Sequence, residues 1–352
     1  LFPKKSAFNF SRFGIIVAAI LAFSAFGTIG GFWFLNRTQN NGVNIPIVLA
    51  EQRSNIKRLT SKGIVFSCVL SPDGNFFAYT VGEKGSYRHS LWLGQTSGNS
   101  DVQLLPLANL VYLPRSFSAD GNWLYYTVSE PRQFDSGTLY KIQVLGGVPQ
   151  KLAEGVSVYS VLSPNEKQIA FVRSEGENEK SALVIANLDG SGEREIAERP
   201  PSRSFLRNSL SWSPDGALLA FGAVSDKKTS REIFSANVAD GSVKQITSLE
   251  WLDIFRTAWV RDGKGLVIVA GNKDSFAGNQ IWRIDYESGK AQNITRDLQH
   301  YGTSLSLSAN SNSLVALQAT IESSIWIAPA ANLSEARQIT FGTAGHEGWF
   351  GI

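Results

Sequence analysis

Short apolar runs alternate with tight polar turns along most of this chain. Ser213-Pro214-Asp215-Gly216 leads into Ala217-Leu218-Leu219-Ala220-Phe221, where Leu219 and Phe221 are two apart and share one face of a strand. Proline presets φ for the turn, aspartate bonds its own backbone, and glycine accepts a positive φ without steric cost. The stretch recurs. Ser71-Pro72-Asp73-Gly74, Ser118-Ala119-Asp120-Gly121 and Ser163-Pro164-Asn165-Glu166 precede it, and Val260-Arg261-Asp262-Gly263 and Ser308-Ala309-Asn310-Ser311 follow. Successive copies are 47, 45, 50, 47 and 48 residues apart.

Each repeat carries four strand-like runs. The run after the turn presents an apolar pair on one face: Phe77/Tyr79, Leu124/Tyr126, Ile169/Phe171, Leu219/Phe221, Leu266/Ile268 and Leu314/Ala316. A third run follows, as in Leu91-Trp92-Leu93 and Ile281-Trp282-Arg283-Ile284, and hairpin dipeptides such as Asp189-Gly190 and Asp240-Gly241 come after it. The fourth run is clearest as Lys244-Gln245-Ile246-Thr247, Gln292-Asn293-Ile294-Thr295 and Arg337-Gln338-Ile339-Thr340. A period of this length with four strands per unit predicts an all-β fold, a β-propeller. Lys57-Arg58-Leu59-Thr60 repeats the fourth-run signature with no three strands ahead of it. Unit six already has its own fourth run, so this one is expected to complete a seventh blade that Gly348-Trp349-Phe350-Gly351-Ile352 begins. The expected ring thus has about seven four-stranded blades, six complete, with a wedge open between the chain ends.

The N-terminal pattern is different. Residues 13–36 carry no charge, and Phe13 to Leu35 are mostly Ile, Val, Ala, Leu, Phe and Gly. As a helix, these residues reach roughly 34 Å, enough to cross a hydrocarbon core. A signal peptide's apolar region is only about 7–15 residues, so a retained anchor is expected. Lys4, Lys5 and Arg12 precede the run and Arg37 alone follows closely, which places the N-terminus in the cytoplasm and the repeats outside it. The expected organisation is a cytoplasmic flank at 1–12, a transmembrane helix at 13–35, a polar linker at 36–54 and a propeller at 55–352. Gly27 and Gly31 have the spacing that lets two membrane helices approach closely, a possible homodimer contact set against the general abundance of glycine in such helices.

Charge sharpens this division. The chain has 352 residues and a formal net charge of +3, but residues 1–58 hold seven basic side chains against Glu51 alone, leaving the remainder at −3. The propeller therefore has no basic excess to suggest nucleic-acid binding. Cys68, the only cysteine, excludes an internal disulfide, and its strand phase predicts a buried structural thiol.

Candidate chemistry is sparse. His89, His300 and His346 fall in different repeats without metal-ligand spacing, and hydrogen-bonded or solvated loop positions are expected for them. The turn aspartates Asp73, Asp120, Asp215 and Asp262 come one per repeat, too dispersed to share a calcium ion. No hydrolase elbow, phosphate-binding loop or kinase signature is present. No catalytic, cofactor-binding or metal-ligating residue is expected. The charged stretches Glu175–Lys180 and Ser225–Lys228 are expected as solvated loop tips, and Arg199-Pro200-Pro201-Ser202-Arg203-Ser204 is the best recognition-loop candidate.

Ser-Pro-Asp-Gly followed by an apolar-Ala-aromatic triplet, as in Phe77-Ala78-Tyr79 and Leu219-Ala220-Phe221, resembles the TolB-type propeller repeat rather than the WD type. The resemblance covers roughly residues 55–352, with departures at Glu166, Val260-Arg261 and Ser311 that are expected to loosen those turns. Ser90-Leu91-Trp92-Leu93, Gly137-Thr138-Leu139-Tyr140, Leu145-Gly146-Gly147, Ala182–Asn187 and Asn293–Leu298 are similar to one bacterial group. In that group a cytoplasmic serine/threonine kinase or CadC-type winged-helix domain, one membrane helix and an extracytoplasmic TolB-like propeller follow in order. The resemblance implies a non-catalytic sensor propeller in the periplasm or cell envelope that binds a protein or peptide, anchored in the cytoplasmic membrane. The alternative it leaves open is the substrate-gating propeller of a prolyl-oligopeptidase-like peptidase.

Overall fold

The computed structural model describes residues 56–340 apart from 99, 175–179, 227–228, 274–277, 296–298 and 320–324. The expected flank, transmembrane segment and linker, with Gly27, Gly31, His346 and the expected start of a seventh blade, lie outside the described residues. Within them, no helix is long and apolar enough to cross a membrane.

Each repeat opens with an inner strand and builds outward in antiparallel order. Unit one is β1 (Ile64–Leu70), β2 (Phe76–Gly82), β3 (His89–Gln95) and β4 (Asp101–Ala108). Unit two is β5 (Val111–Phe117), β6 (Trp123–Ser129), β7 (Gly137–Gln143) and β8 (Gln150–Val156). Unit three is β9 (Val161–Leu162), β10 (Gln168–Ser174), β11 (Ser181–Asn187) and β12 (Arg194–Arg199). Unit four is β13 (Ser211–Trp212), β14 (Leu218–Val224), β15 (Arg231–Asn237) and β16 (Val243–Gln245). Unit five is β17 (Trp251–Trp259), β18 (Gly265–Asn272), β19 (Asn279–Asp285) and β20 (Ala291–Asn293). Unit six consists of two separate pairs, β21 (His300–Leu307) with β22 (Leu314–Ala319) and β23 (Trp326–Ile327) with β24 (Arg337–Gln338).

Packing between units follows one rule. The two large residues of the second strand point at the preceding unit, and the residue between them points at the following one. Leu124 and Tyr126 pack on Val69, Ala78 and Leu91 of unit one, while Ala220 receives Trp251, Leu266 and Ile268 of unit five. The small central residue in Phe77-Ala78-Tyr79 and Leu219-Ala220-Phe221 leaves room for the neighbour's large pair. This large-into-small fit is why the triplet recurs.

The same rule closes the ring and corrects the seven-blade expectation. Val315, the central residue of unit six, packs with Phe77 and Tyr79 of unit one. Ser304 Oγ accepts the Cys68 N–H at 3.0 Å, Ser306 Oγ accepts the Leu70 N–H at 3.0 Å, and the Ala309 N–H donates to the Pro72 carbonyl at 2.8 Å. Inner strands of units one and six therefore meet directly, with no wedge between them. The Lys57–Thr60 signature is not a strand either. Arg58 Nε donates to Thr60 O, and Lys62 N–H donates to Thr60 Oγ1. Gln245, Thr247 and Leu249 repeat both bonds at the exit from β16. The shared motif encodes the path from an outer strand into the next inner strand, and Leu59 packs at the seam between units six and one.

Unit six also departs from the expected complete blade. Only two residue pairs join β23 to β24, and no pairing links β22 to β23 among the described residues. Ile325, Trp326 and Ile327 are 60%, 58% and 50% exposed, whereas their counterpart Ile281 in unit five is buried. They lack the second-strand neighbour that covers Ile281.

The recurrent turn is a hydrogen-bonded clasp. Ser71 Oγ donates to Asp73 Oδ1 at 2.6 Å and accepts the Phe76 N–H at 2.9 Å, while Asp73 Oδ1 accepts the Asn75 N–H at 3.0 Å. The clasp recurs at Ser118/Asp120, Ser163/Asn165, Ser213/Asp215 and Ser308/Asn310. Gly74, Gly121, Gly216 and Gly263 take φ of +77, +74, +74 and +68°. Glu166 and Ser311 take φ of +58 and +57° at the same place. These departures tighten the ring instead of loosening their turns. Glu166 accepts the Ala119 N–H at 2.6 Å and the Tyr125 hydroxyl at 2.9 Å, both from unit two, and Ser311 Oγ accepts the Arg261 N–H of unit five at 2.9 Å.

Candidate functional site in the central channel

Inner strands meet around the ring in the order β1, β5, β9, β13, β17, β21 and back to β1. Side chains that leave these strands inward share a central channel. Two arginines lie on inner strands of opposite units. Arg115 sits on β5, is 7% exposed, and donates from Nε to the Ser160 carbonyl of unit three at 3.1 Å. Its Nη2 is buried without a hydrogen-bond partner. Arg256 sits at a bulge of β17, where the register shifts between Ile254 and Arg256. Arg256 is partly exposed, and desolvation lowers it to about 10. Burial first, and then the Arg256 charge, pushes Arg115 well below the ordinary guanidinium range.

Among the described residues neither guanidinium forms an ion pair. The other ionisable groups acting on them are Tyr159 and Cys68. Burial raises both, the Cys68 thiol to about 12, so both are neutral at pH 7. The buried hydroxyls of Ser67 and Ser304 lie 3.2 Å apart between units one and six. At the end where the inner strands begin, Arg207 of unit four pairs with Asp135 of unit two, and Asn208 Nδ2 donates to Thr303 O of unit six at 3.5 Å. These bonds tie unit four to units two and six through a short 3-10 turn at Arg207–Ser209 in the connection from β12 to β13.

An arc of aromatic residues lies at that same end. Phe66, Tyr87 and Phe134 are 44%, 48% and 37% exposed, and Ile64 and Leu252 at the starts of β1 and β17 are also exposed. Phe134 stacks on Tyr159 with centroids 6.1 Å apart, and Arg132 lies over Tyr87 at 5.0 Å while donating to its hydroxyl.

The expected recognition loop is strapped down. Arg199 lies 4.5 Å over Phe234, Arg203 pairs with Asp226 at 3.1 Å, and Ser204 O accepts the Val224 N–H at 3.0 Å. Arg199 thus faces unit four, while the Arg203–Asp226 pair lies at the exposed surface. Of the charged tips, residues 175–179 and 227–228 lie outside the described residues, and Lys180 pairs with Glu198 at 2.5 Å. His89 and His300 are in strands rather than loops. His89 Nδ1 bonds the Leu110 carbonyl at 3.0 Å, and His300 Nδ1 accepts the Asn279 N–H at 3.3 Å. Cys68 is buried at 4% exposure, as its strand phase predicts. The turn aspartates are spent in their own clasps.

Sequence reasoning missed Arg115 and Arg256. The available signal was a lone charged residue inside each of two mainly apolar inner-strand runs, Val111–Phe117 and Ile254–Trp259. Strand periodicity cannot report it, because the channel is the one polar space that an inner strand meets.

A ring of antiparallel units, four-stranded in all but the sixth, with recurrent serine–aspartate or serine–asparagine clasps defines a β-propeller. Among solved structures, TolB from Acinetobacter baumannii matches with a TM-score of 0.54 and 17% identity, over 74% of this chain and 60% of that one. A puromycin-hydrolysing peptidase from Mycobacterium tuberculosis matches at 0.49 and 15%, over 78% of this chain and 45% of that one. An oligogalacturonate lyase in complex with manganese matches at 0.48 and 16%, over 68% of this chain and 66% of that one. This chain thus spans about 60% of the length of the Acinetobacter TolB chain it matches. No protein-family profile and no curated protein sequence matches this chain. The likeness establishes the propeller fold alone.

Proposed function

We propose that this chain is the extracytoplasmic recognition part of a single-pass membrane signalling protein, non-catalytic in itself and built to bind a protein or peptide in the periplasm or cell envelope. The observation that carries the reading is the arc of exposed Phe66, Tyr87 and Phe134 around one end of a ring whose inner strands are cross-bonded. Rigid aromatic side chains at low entropic cost are what protein-binding surfaces use. The uncharged run at 13–35 supplies the anchor, and the basic residues before it supply the orientation. The cytoplasmic partner domain is a serine/threonine kinase or a winged-helix regulator, and the Gly27/Gly31 face allows two copies to associate in the membrane.

Two measurements test this. Protease added to spheroplasts should digest residues 60–352 while sparing the cytoplasmic side, and protection of the propeller would reverse the orientation. Sequencing the coding region beyond both ends should reveal a kinase or winged-helix domain upstream. A hydrolase domain with a Gly-x-Ser-x-Gly elbow downstream, and nothing upstream, would replace the sensor with a peptidase gate.

A further inference from the structure

We propose that the cleft between the turns of units three and four is a binding site for a neutral sugar ring. It lies where the inner strands finish, whereas the aromatic arc lies where they begin. The inference goes beyond the proposed function and does not depend on it.

A missing tie marks this seam. At two other seams the fourth residue of one turn bonds back to the second residue of the preceding turn. Glu166 accepts the Ala119 N–H, and Ser311 Oγ accepts the Arg261 N–H. Between units three and four the same two positions are Pro164, which has no N–H, and Gly216, which has no side chain. A cavity of about 310 Å³ lies there. That is the small end of the roughly 300–1,000 Å³ range of small-molecule sites, which suits one ring rather than a chain. Trp212 of unit four is 8% exposed and reaches across the seam, donating from Nε1 to the Val161 carbonyl of unit three at 3.2 Å. With Pro164 and Pro214 it forms the apolar part of the lining.

The polar lining is accessible and has bonding capacity left over. In units one and two, Asp73 Oδ2 and Asp120 Oδ2 accept the side-chain amides of Asn75 and Asn122 at 2.7 and 2.8 Å. Ala217 stands at that position in unit four. Asp215 therefore uses Oδ1 for Ser213 Oγ and the Ala217 N–H and keeps Oδ2 for a ligand. Asn165 of unit three uses Oδ1 in the same way, for Ser163 Oγ and the Lys167 N–H, which identifies its remaining amide atom as the nitrogen donor. The Gln168 side chain makes no hydrogen bond among the described residues and offers both a donor and an acceptor. Asp215 and Asn165 are exposed and Gln168 is half-buried, so solvent reaches all three.

Donors and acceptors together decide the ligand class. A cation could use Asp215 but would leave the amide donors of Asn165 and Gln168 unanswered, and a lone exposed carboxylate holds a cation weakly. An anion would face the Asp215 charge, which the Ser213 hydroxyl helps to keep ionised at neutral pH. Neighbouring hydroxyls of a sugar donate to the carboxylate and accept from the amides, while the C–H face of the ring lies against proline and indole.

The test is saturation-transfer NMR of the full chain, in a detergent without sugar headgroups, titrated in turn with glucose, galactose, mannose and N-acetylglucosamine. Saturable binding of at least one is expected, with Kd on the order of 1 mM. Asp215→Asn and Gln168→Ala should each weaken that binding about fivefold or more. D215N should keep its turn, because Asn165 and Asn310 already form the clasp with asparagine. Asp73→Asn makes the same change at a turn outside the cleft and should leave binding unchanged. Saturable binding of none of the four sugars overturns the proposal, and so does equal binding by wild type and either cleft variant, or an equal loss in D73N. Displacement of the bound sugar by n-butylammonium chloride at the same concentrations would show a carboxylate–cation contact instead, and overturns it too.

Discussion

Glu166 separates backbone strain from inter-unit bonding by substitution. It occupies the left-handed region, φ +58°, where four other copies of the turn place glycine. An L-residue there costs about 1–2 kcal/mol. Against that, its carboxylate receives two bonds from unit two, the Ala119 N–H at 2.6 Å and the Tyr125 hydroxyl at 2.9 Å. Hydrogen bonds to a charged group contribute about 1.5–3 kcal/mol each, and the lower end applies at this partly exposed site. Glu166→Ala keeps the strain and loses both bonds, an expected destabilisation of about 2–4 kcal/mol. Glu166→Gly loses the same bonds but relieves the strain, so it should be about 1 kcal/mol more stable than E166A while still below the wild type. Tyr125→Phe removes one bond alone and should cost about 1 kcal/mol. Urea midpoints followed by tryptophan fluorescence, compared at a common slope, give the order wild type, Y125F, E166G, E166A. If E166G matched or exceeded the wild type, the carboxylate would contribute less than the strain it imposes. The account of Glu166 as a seam between units two and three would then be refuted.

Ring closure gives a second prediction. Ser304→Ala with Ser306→Ala leaves the Cys68 and Leu70 N–H groups without their acceptors, which should destabilise the chain by about 2–5 kcal/mol in total. Stability equal to that of an exposed Ser242→Ala control would argue against direct contact between units six and one. Acid should act in two steps. His300 is held below its ordinary value by burial, so the stability of its neutral form is lost as pH falls below about 6.5. Asp73 and Asp215 are held below the usual carboxylate range chiefly by the Ser71 and Ser213 hydroxyls. Their contribution is full above about pH 3.9 and disappears as pH falls through their lower folded values. Melting curves from pH 3 to 8 should show both declines, and D73N/D215N should flatten only the lower one. Cys68, its thiol raised to about 12 by burial, should resist iodoacetamide at pH 8 until the chain is unfolded. Stoichiometric labelling of the native protein would contradict its buried position.

The repeat, its turn and its strand phase were determined by local chemistry. Ser71-Pro72-Asp73-Gly74 closes by bonds within five residues, and Leu219 and Phe221 share a face by strand geometry alone, so both were legible before any fold was known. Cys68 was legible for the same reason. What the chain does at long range was not. The similarity of Lys57–Thr60 to Lys244–Thr247 reported a common exit path, and only the packing of Val315 on Phe77 and Tyr79 settled how the ring closes. Glu166 and Ser311 read locally as weakened turns, because their compensating partners lie in the preceding unit. Arg199–Ser204 read as a recognition-loop candidate, and its contacts with Phe234 and Asp226 of unit four were not legible because those partners lie more than 20 residues away along the chain. The channel arginines were the least visible. A charge within an apolar run has no meaning along one strand, and it acquires one only when six strands surround a common axis and leave that charge without a partner.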